Sequence, residues 1–60
     1  MKYYPEVLGI EKNLPLKEFR EEKEAIQFFL NSYGKNLLAV VLDNDPEIRV
    51  VWDRMGGSND

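Results

Sequence analysis

Leu37-Leu38-Ala39-Val40-Val41-Leu42 is an unbroken apolar run, followed by Asp43-Asn44-Asp45-Pro46 and then by the alternating segment Glu47 to Asp53. Successive strand residues point to opposite faces, so a run of this kind places three apolar side chains on each side of a sheet. The Asp, Asn and Pro residues between the two segments are turn formers, and together they predict a β-hairpin. A chain of 60 residues has enough length to cover one face of that hairpin with a helix of its own. The second face is then expected to need a partner.

A four-residue loop, 43–46, sets Leu42 opposite Glu47, Val40 opposite Arg49 and Leu38 opposite Val51. The other face collects Leu37, Ala39 and Val41 beside Ile48, Val50 and Trp52. This second set is the richer, so the helix is expected there. Leu38, Val40, Leu42 and Val51 are left as partner-binding anchors, with Arg49 and Glu47 as polar neighbours that set orientation.

Upstream, Ala25, Ile26, Phe29, Leu30 and Tyr33 recur at helical spacing and predict an amphipathic helix from about Glu21 to Tyr33. Glu18, Glu21, Glu22 and Glu24 crowd its start, where the positive end of the helix dipole favours carboxylates, and Gly34 supplies a stop. Arg20 and Glu24 are spaced as an i,i+4 pair. Phe28 lies roughly 130° from the centre of the apolar stripe at ~100° per residue. It either folds over the margin of the core or joins the partner-binding surface.

The N-terminal third carries weaker β character. Pro5 to Glu11 forms a possible edge strand ending at a turn around Lys12-Asn13, and Leu14 to Phe19 a second one, with Leu14, Leu16 and Phe19 turned inward. The expected architecture is one α+β domain, residues 1–54, of the form β-(β)-α-β-β: a helix on a three- or four-stranded, mainly antiparallel sheet. Residues 55–60, Met-Gly-Gly-Ser-Asn-Asp, read as a disordered tail.

Composition narrows the chemistry. There is no cysteine and no histidine, which removes disulfides, triad-type relays and tetrahedral zinc. Asp43, Asp45 and Glu47 alternate as at the start of an EF-hand calcium loop, but Ile48 stands where that loop requires glycine. Gly56-Gly57 leads into no helix and has no lysine of a phosphate loop. No catalytic, cofactor-binding or metal-ligating residue is assigned, and the chain is expected to be non-enzymatic.

Eight Lys and Arg against eleven Asp and Glu give a net charge of −3, which disfavours general phosphate-backbone binding. A single-strand platform built from Arg49, Arg54, Lys35, Trp52, Tyr3 and Tyr4 is the weaker alternative, because Trp52 shares its face with core residues. A further alternative is an acidic inhibitor or decoy that presents the glutamates of the helix start to a basic partner. The N-terminal residues lack a signal-peptide core, and no stretch is long and apolar enough to span a bilayer. A cytoplasmic regulatory protein acting as a homodimer, or docking on another protein through an apolar sheet face, is the function expected from sequence.

Overall fold

The computed structural model of the chain describes residues 1–12 and 14–58. In chain order its elements are β1 (Lys2–Val7), β2 (Lys17–Glu18), α1 (Glu22–Tyr33), a 3-10 turn (Gly34–Asn36), β3 (Leu37–Asn44), β4 (Glu47–Asp53) and β5 (Gly57–Ser58). Every strand pairing is antiparallel, in the order β2-β1-β3-β4-β5. The helix packs on one face of the four-stranded sheet β2-β1-β3-β4, and β5 adds two residues at its end. This is the α+β fold expected from the sequence.

The apolar run becomes β3, the central strand, with β1 on one side and β4 on the other. A central strand is flanked on both edges, and Ala39, Val40, Val41 and Leu42 are all buried. α1 begins one residue later than predicted. The Glu21 N–H donates to Glu24 Oε1 at 3.2 Å, closing the first turn. Because Glu24 is turned back to the backbone in this way, the i,i+4 pair with Arg20 does not form. At the other end Gly34 takes φ 58° and its N–H reaches the Leu30 carbonyl, so glycine serves as the helix stop.

The N-terminal strand lies earlier than predicted, at residues 2–7 instead of 5–11. Gly9, at φ 88°, turns the chain away after it, and Pro5 sits beyond the end of β2, where the outer edge of β1 carries no ladder. Only Lys17–Glu18 of the expected second strand pairs with β1. Leu14 and Phe19 pack against the core as expected, while Leu16 is exposed. Asn13 of the expected turn lies outside the described residues. In the expected tail, Gly57–Ser58 pair with Trp52 and Asp53. The Asp53 carboxylate accepts the Gly56 N–H at 2.6 Å, fixing the turn that returns the chain to the edge of β4. Asn59 and Asp60 lie outside the described residues.

The hairpin loop is two residues, Asp45-Pro46, and not four. The register slides by two, pairing Leu42 with Arg49 and Asp43 with Ile48. An even slide keeps every side chain on its face. Beyond it a β-bulge intervenes: Val41 pairs with Val50 but Val40 pairs with Trp52, leaving Val51 as the extra residue. The bulge turns Trp52 onto the side of Val40, away from Ile48 and Val50.

The helix covers the face opposite to the one predicted. Its Ala25 and Phe29 share one core with Tyr3, Val7, Leu37, Val40, Leu42 and Val51. Counting the hairpin alone misjudges the balance, because β1 delivers Tyr3, Pro5 and Val7 to this face and Lys2, Tyr4 and Glu6 to the other. Three apolar side chains from a third strand, with Trp52 from the bulge, decide which side is dry.

Candidate functional site

Because paired strand residues share a face, the register lays out the side of the sheet that the helix leaves open. Its middle row runs Tyr4, Val41, Val50. On one side of that row stand Glu6, Ala39 and Asp53; on the other stand Glu18 with Lys2, and Asp43 with Ile48. Val41, at the centre, is 3% exposed, shielded by its neighbours on both strands. Ile48 and Val50 have no such cover and are 61% and 42% exposed. The face is thus an apolar centre opening toward β4, bounded by charge at both ends.

The charge is one-sided. Among the paired strand residues, Glu6, Glu18, Asp43 and Asp53 lie on this face, with Lys2 as the one cation. Glu18 is also engaged at the sheet edge by the Met1 amino group, whose hydrogen bond holds its carboxyl below the ordinary value.

The residues expected as anchors are placed differently. Val40, Leu42 and Val51 lie beneath the helix, fully buried, and present no surface to a partner. Leu38 is half-buried, and its carbonyl accepts the Arg54 N–H at 2.9 Å. Glu47 and Arg49 lie on the helix side of the sheet at its outer rim, where Arg49 Nε donates to Glu47 Oε2 at 2.8 Å. That bond raises the Arg49 pKa above its ordinary value, with Glu22 and Tyr3 adding to the effect.

Phe28 folds over the margin of the core and stays half-exposed. It is 43% exposed, yet its ring meets Phe19 and Phe29 at centroid separations of 5.6 and 5.5 Å. Lys17 Nζ lies 5.1 Å from its centroid, over the outer surface of the ring. Phe19 links this margin to the interior, 5.9 Å from Tyr3 and 5.5 Å from Phe29.

The residues that sequence reasoning missed as surface are Ile48 and Val50, which it set beneath the helix. Their signal is parity: Val41 and Ala39 share alternation with Asp43, just as Tyr4 shares it with Lys2 and Glu6. Each set ends in a carboxylate, Asp43 in one and Glu6 in the other, and these mark the wet side. The rings considered for nucleic-acid stacking are divided, with Tyr3 and Trp52 on the helix side and Tyr4 on the acidic face. Among the described residues no group of His, Cys, Asp or Glu is gathered to hold a metal ion, and no helix is long and apolar enough to cross a membrane.

The chain matches no family model, and comparison with curated proteins and with solved structures gave no significant match.

Proposed function

We propose that this protein is a non-enzymatic interaction module that docks on another protein through the open face of its sheet. The observation that carries this reading is the exposure of Ile48 and Val50 beside Val41 and Tyr4, on the face that holds Glu6, Glu18, Asp43 and Asp53. A half-exposed apolar strip bounded by carboxylates is complementary to an apolar ridge flanked by Lys or Arg. Stacking two copies open face to open face would oppose four carboxylates to four, so the partner in this reading is a different protein with a basic rim.

The apolar centre supplies affinity and the rim supplies steering, which makes the two separable. Association should slow as salt rises, while a complex once formed should persist. The test compares complexes recovered from the source cells by wild type, by the paired substitution Ile48→Asp with Val50→Asp, and by Gln27→Asp on the outer side of the helix. The reading expects wild type and the Gln27 variant to hold the same stoichiometric protein and the sheet variant to lose it. A sheet variant that is folded and still holds that protein overturns the proposal, as does a wild-type chain that holds none.

A further inference from the structure

The outer edge of β4 is the second feature that the fold leaves open. β5 pairs only with Trp52 and Asp53, so among the described residues nothing pairs with the edge from Glu47 to Val51. Antiparallel ladders alternate between hydrogen-bonded and non-hydrogen-bonded pairs. Asn44 and Glu47 close the two-residue loop as a bonded pair, which makes Leu42 and Arg49 the next one. Glu47 and Arg49 therefore aim their backbone groups at β3. Ile48 and Val50 aim theirs outward. Beyond the bulge, the Arg54 N–H on the Leu38 carbonyl keeps to the same alternation.

An unpaired edge of this kind templates a further strand unless lysine, proline or a covering segment blunts it. The edge from 47 to 51 reads Glu-Ile-Arg-Val-Val, with no lysine or proline in it. We propose that a second copy of this chain adds its β4 antiparallel to this edge, about a two-fold axis at Ile48. In that register the edge is complementary to itself. Ile48 stands opposite Ile48 of the other copy, and Val50 opposite Pro46.

The charges decide the register. Glu47 of each copy stands opposite Arg49 of the other, which gives two cross-strand ion pairs on the helix side of the sheet. In the single chain these two residues already bond to each other, at 2.8 Å and more than half exposed, so they exchange one carboxylate or guanidinium partner for an equivalent one. Centring the axis on Arg49 instead would oppose two guanidinium groups. The product is one continuous sheet in which the two Ile48–Val50 patches merge into a single strip. The strip enlarges the docking face proposed above, but the edge pairing stands without that reading.

Sedimentation equilibrium of the full chain over a wide concentration range tests the pairing. The expected result is a reversible species of twice the 7.0 kDa monomer mass. Val50→Pro removes an N–H that only the added strand uses, so it should yield a monomer with an unchanged circular dichroism spectrum. Arg49→Glu should weaken the dimer about tenfold or more, since two attractive pairs become repulsive, and adding Glu47→Arg should restore it. A wild-type chain that stays monomeric to millimolar concentration overturns the proposal. So does a folded Val50→Pro variant that keeps the dimer mass, or a folded double swap that remains as weak as Arg49→Glu. Should Val50→Pro fail to fold, the charge swap alone decides.

Discussion

The two faces of this sheet are built from nearly the same residue types and meet opposite fates. On the covered side Tyr3, Val40, Leu42 and Val51 are closed off by Ala25 and Phe29 of the helix. On the open side Val41 is equally buried at the centre, but Ile48 and Val50 run out to solvent and carboxylates take over at both ends. Hydrophobicity of the central strand does not distinguish the faces, because β3 is apolar on both. The flanking strands do. β1 contributes Tyr3, Pro5 and Val7 to one side and Lys2, Tyr4 and Glu6 to the other, and the bulge at Val51 transfers Trp52 to the dry side.

The largest contrast is expected from a single charge placed on each face in turn. Val40→Asp buries a carboxylate with no partner beneath the helix and should cost about 4 kcal/mol or more, enough to unfold a domain of this size. Val50→Asp on the open face should change stability by only about 1 kcal/mol or less. Urea denaturation of the two variants checks the pair, and equal losses would erase the distinction between the faces.

A second contrast lies within the helix. Phe29→Ala should cost about 3 to 4 kcal/mol, because it empties the space between α1 and β3. Phe28→Ala, which removes a half-exposed ring from the margin, should cost about 1 kcal/mol. The same denaturation measurement ranks them, and a reversed order would mean that the helix is rotated on the sheet.

The smallest contrast is one of pH. Burial pushes the Tyr3 phenol above its ordinary value of 10.0, and the Glu22 carboxylate pushes it the same way. A raised folded-state value means that the folded chain holds the proton more tightly than the unfolded one. The associated stability is complete below the unfolded value near 10 and is lost as pH rises through the folded value. Tyr3→Phe should flatten this alkaline decline in the denaturation midpoint. An unchanged decline would assign it to other groups.

Much of the architecture is legible in the sequence because it rests on strong local signals. The helix follows from the spacing of Ala25, Ile26, Phe29, Leu30 and Tyr33 and from Gly34, and all five side chains meet the core. The hairpin follows from the apolar run and its turn residues. The identity of the covered face is not local. It depends on which residues of a distant strand lie beside β3, and reading that strand from Pro5 onward hides Tyr3 from the tally. The bulge at Val51 is equally invisible to strict alternation, since an extra residue changes the parity of Trp52 without any mark such as glycine. The candidate site inherited both errors: Leu42, Val40 and Val51 were legible as one face, but only the third strand shows that face to be the interior.

The account is tested most directly by the environment of the β3 and β4 methyl groups in solution. With a soluble paramagnetic agent, the methyls of Val40, Leu42 and Val51 should be protected and show nuclear Overhauser contacts to the Phe29 ring or Ala25. Those of Ile48 and Val50 should relax rapidly and show none to the helix. Helix contacts at Ile48 and Val50, with Val40 and Val51 bleached by the agent, would contradict it.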